Sequence, residues 1–66
     1  MIKGERKITQ EMYERNKDRG VLYHEEDIDK VFTQAEVWGY GIYFTQVYAG
    51  DDGNYYVRYE MGDSCD

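Results

Sequence analysis

The middle of the chain has the clearest helical pattern of apolar and polar positions. In EEDIDKVFTQAE, residues 25–36, the apolar side chains follow the i, i+3, i+4, i+7 spacing of one helix face, at Ile28, Val31, Phe32 and Ala35. Three acidic residues begin the segment, where carboxylates suit the positive end of the helix dipole. The pattern predicts a helix, whose outer face carries Asp29, Lys30, Thr33 and Glu36.

The first 20 residues predict a tail followed by another helix. Residues 1–8 are interpreted as a flexible tail. Thr9 is a good N-cap, and Gly20 can take the left-handed conformation that ends many helices. The predicted helix therefore covers residues 10–19. The apolar residues that follow, Val21–Tyr23, fit either a short strand or a connector, and both alternatives stay open.

The last third of the chain is typical of an antiparallel hairpin. Val37–Tyr48 and Asn54–Met61 are rich in aromatic and β-branched residues and flank AGDDGN, which is a turn by composition. A two- or four-residue turn centred on Asp51 and Asp52 would pair Tyr48 with Tyr55, Gln46 with Val57, Phe44 with Tyr59 and Ile42 with Met61. This register makes one face almost entirely apolar, whereas a slip of one residue would mix the two faces. A bulge or a five-residue loop would shift it.

The two faces of this hairpin lead to different predictions. The face with Phe44 and Tyr59 is predicted to pack against the second helix. The other face gathers Tyr43, Val47 and Tyr56 into an apolar and aromatic patch. That patch would be exposed to solvent, covered by the first helix, or used as a contact surface, because tyrosine is enriched in protein interfaces.

The fold class predicted from these segments is α+β, with two short N-terminal helices followed by an antiparallel β-hairpin or a small three-stranded sheet. Sixty-six residues predict a single domain, residues 1–66. Because two strands alone are marginally stable, we expect a third strand or a dimer that extends the sheet. The third strand would come from Val21–Tyr23 or from a bend at Gly39 and Gly41.

Charge is distributed unevenly along the chain. The net charge is −6, from 14 acidic and 8 basic residues. Residues 1–19 hold six bases and four acids, which gives +2, whereas residues 20–66 hold ten acids and only Lys30 and Arg58, which gives −8. Such a surface repels nucleic-acid phosphates and is attracted to basic surfaces. We therefore expect a protein partner with a basic surface and no direct binding of nucleic acid.

Candidate chemistry in the sequence is sparse. His24 with the neighbouring acids could hold a divalent metal, but consecutive helical residues do not converge on one ion, and there is no second histidine. GDDGN lacks the alternating ligands and final glutamate of a calcium loop. Cys65 lies beside Asp63 and Asp66, whose charges would raise a thiol pKa and lower its reactivity. We expect no enzyme activity, no catalytic residues, no bound metal and no cofactor.

The sequence also suggests a location. No stretch approaches the roughly 18 apolar residues of a membrane span. The N-terminal MIKGERKITQ lacks the apolar region of a signal peptide, and a domain this small without a disulfide framework favours a reducing compartment. We expect a cytoplasmic protein that does not interact with membranes.

The C-terminal run VWGYGIYFTQVYAGDDGNYYVRYEMGDSCD resembles small uncharacterised proteins of Firmicutes and of their phages or mobile elements. As a tiny acidic α+β chain, the protein is also similar in type to phage anti-CRISPR and other anti-defence inhibitors. Many of those block a nucleic-acid-binding surface by presenting carboxylates to its lysines and arginines. The resemblance thus implies a protein partner, such as a nucleic-acid-binding effector.

The leading hypothesis is a non-enzymatic binding protein that occupies a basic site on a nucleic-acid-handling protein. Carboxylates would steer the encounter and bond to arginine, and tyrosine rings would supply buried area. The predicted contact residues are Glu25, Glu26, Asp29, Glu36, Tyr43, Asp51, Asp52 and Tyr56. The alternative is a structural protein, either a homodimer or other small homo-oligomer or an assembly subunit, that uses the sheet edge or the tyrosine patch.

Overall fold

The computed structural model describes residues 2–62 and has three strands and two helices. In chain order these are β1 (Ile2–Ile8), α1 (Gln10–Asn16), α2 (Glu25–Val31), β2 (Ile42–Ala49) and β3 (Tyr55–Met61), with a π-helical segment (Glu36–Tyr40) before β2. The strands form one antiparallel sheet in the order β1-β3-β2. This arrangement confirms the α+β class with a three-stranded sheet, except that the chain begins with a strand.

The prediction of a flexible tail at residues 1–8 is wrong for the described part, because Ile2–Ile8 forms the strand β1. Its apolar end residues, Ile2 and Ile8, are an even number of positions apart and therefore lie on the same face of the sheet. They pair with Met61 and Tyr55 of β3. The charged residues between them hide the alternation of apolar and polar positions that would predict a strand. Charged side chains of this kind are common on an edge strand. Val21–Tyr23 is therefore the connector rather than the third strand, and within it Leu22 is buried in the core.

Helix α1 starts where the sequence predicts and ends sooner. The Met12 amide donates to Thr9 Oγ1 at 3.2 Å, which confirms Thr9 as the N-cap. Gly20 has a φ of 71°, the left-handed conformation expected of it. The helix ends at Asn16 rather than residue 19, because the Asn16 side chain turns inward and accepts from the Tyr23 amide at 3.0 Å.

The predicted helix over residues 25–36 is divided in two. Helix α2 ends at Val31, and Phe32 takes an extended conformation that places its ring in the core. A new turn then begins at Thr33, where the Glu36 amide donates to Thr33 Oγ1 at 3.1 Å and the Thr33 amide donates to Glu36 Oε1 at 2.8 Å. This reciprocal pair is a capping box, and it leaves Ala35 exposed instead of in the core.

The hairpin register differs by one residue from the predicted one over most of its length. The loop Gly50–Asn54 has five residues and is closed by the Gly50 amide donating to the Asn54 carbonyl at 2.8 Å, so Val47 pairs with Val57. An irregularity between Ile42 and Phe44 restores the predicted pairing of Ile42 with Met61. The core positions predicted on β3 are confirmed, namely Val57, Tyr59 and Met61.

The predicted Tyr43, Val47 and Tyr56 patch does not exist as one surface. A one-residue shift in register moves a strand's side chains to the opposite face of the sheet. Val47 is consequently buried in the core, Tyr56 lies on the opposite face, and Tyr43 is exposed at the irregularity in β2. The same shift removes Phe44 from the predicted core and leaves it 42% exposed.

Both helices pack against one face of the sheet. The core joins Phe32 and Met12 to β3, and the rings of Phe32 and Tyr59 meet edge-on with centroids 5.1 Å apart. The opposite face is called the outer face here; away from the irregularity in β2 it consists of Lys3, Glu5, Lys7, Gln46, Tyr48, Tyr56, Arg58 and Glu60. None of the helices within residues 2–62 is long and apolar enough to cross a membrane.

Candidate partner-binding groove

A groove with a largely apolar lining lies between α2 and the start of β2. It consists of two adjoining depressions that share Ile28 and Val37. One is apolar and includes Val21, Leu22, Ile42, Tyr43, Phe44 and Thr45. The other is acidic at its rim and includes Glu25, Asp29, Gln34 and Trp38. Together these residues are called the α2–β2 groove.

Two large aromatic side chains at this groove are mostly exposed to solvent. Trp38 is 84% exposed and Tyr43 is 71% exposed. Single exposed apolar residues are ordinary on a protein surface, but these two line adjoining depressions of one groove, Tyr43 the apolar one and Trp38 the acidic one. Tryptophan and tyrosine are also the side chains most often found at the energetic centre of protein interfaces. The groove therefore has the composition of a protein-binding surface.

The backbone around Trp38 explains its position. The π-helical segment ends at Gly41, whose φ of 78° turns the chain into β2. The Gly41 amide donates to the Glu36 carbonyl at 3.2 Å, and the Gly62 amide donates to the Gly41 carbonyl at 3.1 Å. The segment is thus tied at its end to the sheet, while its outward side carries Trp38. Short π-helical turns are often found at functional sites.

The structure brings together three of the eight predicted contact residues. Glu25 and Asp29 lie one helical turn apart on α2 and line the acidic depression, and Tyr43 lines the apolar one. Glu26 is exposed beside them but lies 3.9 Å from the Arg15 guanidinium. No lysine or arginine lines either depression of this groove. The charged side chains that line the groove, among residues 2–62, are therefore all negative.

Glu36 is engaged in the fold. Its carboxylate forms two hydrogen bonds with the Arg6 guanidinium and accepts a third from the Thr33 amide. The Arg6 bond, followed by the Thr33 bond, lowers the pKa of Glu36 to about 2. Because both oxygens of the Glu36 carboxylate are bonded within the protein, Glu36 holds the chain in place beside the groove and is not free to bind a partner's cation.

The remaining predicted contacts lie at the hairpin loop, on another part of the sheet. Asp51 is exposed there. Asp52 accepts from the Tyr56 hydroxyl and from the Asn54 amide, and these bonds lower the pKa of Asp52 to about 2. Tyr56 also stacks on Tyr48 with ring centroids 5.7 Å apart. The loop therefore forms its own hydrogen-bonded unit, separate from the groove.

The outer face of the sheet is less suited to a partner, because its charges pair with one another. Lys3 lies 3.3 Å from Glu60, and Arg58 donates to Glu5 at 3.1 Å. The Arg58 guanidinium carbon also lies 5.2 Å from the centroid of the Tyr48 ring, within the reach of a cation–π interaction. Cross-strand pairs of this kind stabilise an exposed sheet face without a ligand.

The described residues offer little metal chemistry. Within residues 2–62 no group of three or more histidine, cysteine or acidic side chains is placed to hold a metal ion. The acids that follow His24 diverge, since Asp27 points into the core while Glu25, Glu26 and Asp29 are exposed. Cys65, whose thiol is predicted from the sequence to have low reactivity, lies outside the described residues.

Sequence reasoning missed two important residues of this site. The sequence pattern places Trp38 in a strand, although Gly39 and Gly41, which follow it, also predict a bend in the backbone. Phe44 was assigned to the core because the register was one residue out. The five-residue spacing from Gly50 to Asn54 was the available signal for the true register.

Comparison of the chain with protein-family models, with curated proteins and with solved structures gives no match. The function proposed below consequently rests on the shape, exposure and charge of the α2–β2 groove.

Proposed function

We propose that this chain is a non-enzymatic binding protein that uses the α2–β2 groove to occupy a basic site on a partner protein. The observation that carries the proposal is the pairing of exposed Trp38 and Tyr43 with a groove whose charged lining residues, Glu25 and Asp29, are both acidic. Aromatic rings supply buried area, and carboxylates form charge-assisted bonds to lysine or arginine.

The partner's chemistry follows from the groove. Ile28 and Val37 in its floor would pack against apolar side chains of the partner, and the acids of its rim would bind the partner's cations. The −8 charge of residues 20–66 would attract a basic surface from a distance. Basic surfaces with apolar anchors occur on proteins that handle nucleic acids, and occupying one would block it. An inhibitor of the anti-defence type would act in this way.

A fluorescence titration tests the proposal, because Trp38 is the sole tryptophan of the chain. The probe is an amphipathic peptide built of leucine and lysine, and the matched control replaces each lysine with glutamate. We expect the leucine–lysine peptide to shift Trp38 emission to shorter wavelength as the ring is buried. The acidic peptide should leave the emission unchanged.

Charge reversal supplies the specificity control. The double variant Glu25→Lys and Asp29→Lys leaves the apolar floor intact while reversing the rim. We expect its affinity for the leucine–lysine peptide to fall, and wild-type affinity to fall between about 0.01 M and 1 M salt as the Debye length drops from roughly 30 Å to 3 Å. Equal binding of both peptides, or an unaffected double variant, would disprove the proposal.

The second candidate function is a homo-oligomer or assembly subunit. It is favoured by the position of β1 at the edge of the sheet, where an open strand can pair with another copy. The charges Lys3, Glu5 and Lys7 oppose that pairing, because edge charges guard against strand addition. Light scattering at high protein concentration decides between them: a strict monomer rules out the homo-oligomer.

A further inference from the structure

Arg6 of β1 connects parts of the chain that are distant in sequence. Its Nη1 donates to the Val31 carbonyl at 2.7 Å, at the end of α2, and to Glu36 Oε1 at 3.0 Å. Its Nη2 donates to Glu36 Oε2. The guanidinium lies 4.8 Å from the centroid of the Phe32 ring and 4.9 Å from that of Tyr59.

These bonds hold both ends of the break between α2 and the π-helical segment. Val31 is the last residue of α2, and Glu36 is the first residue of the segment that carries Trp38. The Glu36 carboxylate also closes the capping box with Thr33. One side chain thus links the end of α2 to the residues that form one wall of the groove.

From this geometry we infer that Arg6 is a positioning residue for the α2–β2 groove, setting the placement of the Trp38-bearing segment without itself contacting a partner. The inference rests on the proposed function where it concerns partner binding. A planar guanidinium is needed here, because it must donate to the Val31 carbonyl and the Glu36 carboxylate at the same time. It must also contact the two neighbouring aromatic rings. Lysine offers a single point charge and cannot meet this geometry.

Hydrogen exchange of single amides in the free protein tests the positioning role. The Val37 and Gly41 amides report on the segment, since they donate to the Thr33 and Glu36 carbonyls. In Arg6→Met we expect both amides to exchange about tenfold faster or more, the effect of losing a charge-assisted hydrogen bond. Arg6→Lys should recover only part of the protection.

Two further variants separate positioning from general stability. Arg58→Met removes the same charge from the same sheet but from the outer face, where Arg58 pairs with Glu5, and it should leave both amides unchanged. Glu36→Gln weakens the link without altering β1 and should speed the same two amides. Equal acceleration at the Val57 amide of the central strand in Arg6→Met, or unchanged Val37 and Gly41 exchange in Glu36→Gln, would overturn the inference.

Binding of the leucine–lysine peptide completes the test. Arg6→Met and Arg58→Met raise the negative charge equally, so their long-range attraction for the peptide is the same. We expect Arg6→Met to bind about tenfold more weakly than Arg58→Met, matching the loss of one charge-assisted hydrogen bond. If amide exchange changes as expected but no variant binds the peptide, the proposed function is rejected and the positioning role stands. If Arg6→Met and Arg58→Met bind the peptide with equal affinity, Arg6 has no effect on binding.

Discussion

Single side chains decide how the two helices are joined, and the most informative are two buried polar ones. Asn16 and Asp27 are both 0% exposed. Asn16 Nδ2 donates to the Met12 carbonyl at 2.6 Å and to Asp27 Oδ2 at 2.8 Å, and its Oδ1 accepts from the Tyr23 and His24 amides. All of its hydrogen-bonding capacity is used, as buried amides require.

Asp27 is held by charge as well. Arg15 Nε donates to Asp27 Oδ2 at 3.0 Å and Nη2 to Oδ1 at 2.5 Å, and these bonds lower the pKa of Asp27. The sequence placed Asp27 among three equivalent acids in the first turn of a helix. Nothing in the local pattern distinguishes it from Glu25 and Glu26, because the partner that buries it comes from another helix.

Replacing Asn16 with alanine should destabilise the protein strongly. The change leaves the partly buried Tyr23 and His24 amides without their acceptor and removes a donor from buried Asp27, which should cost about 2–3 kcal/mol of unfolding free energy. Urea denaturation measures the loss. Gln46→Ala removes an exposed amide from the outer face and is the matched control, with a change within about 0.5 kcal/mol. Equal effects of the two substitutions would contradict the role assigned to Asn16.

Glu36 gives the fold a defined response to acid. Its pKa is about 2 in the folded protein against an ordinary value of 4.5, so its contribution to stability is fully present above about pH 4.5 and is lost as the pH falls toward 2. We expect Glu36→Gln to be less stable than wild type at pH 7 and to lose less stability than wild type between pH 5 and pH 2. Thermal unfolding across this range measures both, and parallel pH profiles would contradict the assignment.

At the level of helices and strands, the sequence predicts the α+β class and most of the core of β3, but not β1. The predicted hairpin has a strong pattern because aromatic and β-branched residues are dense on both sides of its turn. In β1 the core-facing positions include Gly4 and Arg6, which carry no apolar signal. The Arg6 guanidinium contacts the core rings of Phe32 and Tyr59, a role that the hydrophobic pattern does not reveal.

Gly4 shows why this strand packs closely against β3. A Cβ at this position would lie 2.7 Å from the Tyr59 hydroxyl oxygen and 2.9 Å from ring atom Cζ. Gly4→Ala should therefore displace the Tyr59 ring and cost about 1–3 kcal/mol. Gly39→Ala is the control, because no atom lies within 4 Å of a Cβ there. Denaturant midpoints compare the two, and a neutral Gly4→Ala would contradict the close packing.

The break after α2 is also absent from the prediction made from hydrophobic spacing. The apolar spacing through Ala35 predicts one continuous helix, yet the chain extends at Phe32 and restarts at Thr33. The capping box Thr33–Glu36 is a sequence signal for such a restart. Periodicity outweighed it in the prediction because Phe32 is buried in either arrangement, so its burial does not distinguish them.

Across the protein as a whole, charge and aromatic exposure coincide at one place. The acidic excess of residues 20–66 predicts an attraction to basic surfaces, and Glu25, Asp29 and Tyr43 were chosen from sequence. Their gathering at the groove depends on the break after α2 and on the irregularity in β2. Neither feature changes the hydrophobic pattern, so the groove itself was not predictable from it.

The most direct measurement is an amide chemical-shift map of the protein titrated with the leucine–lysine peptide at low ionic strength. We expect the shifts to be confined to residues that line the groove, with the amides of Lys7, Tyr56 and Arg58 unmoved. The groove residues are Val21, Leu22, Glu25, Ile28, Asp29, Gln34, Val37, Trp38, Ile42, Tyr43, Phe44 and Thr45. Shifts concentrated on that outer face, or shifts of the groove amides that are the same with the leucine–glutamate peptide, would contradict the assignment of the α2–β2 groove as the partner-binding site.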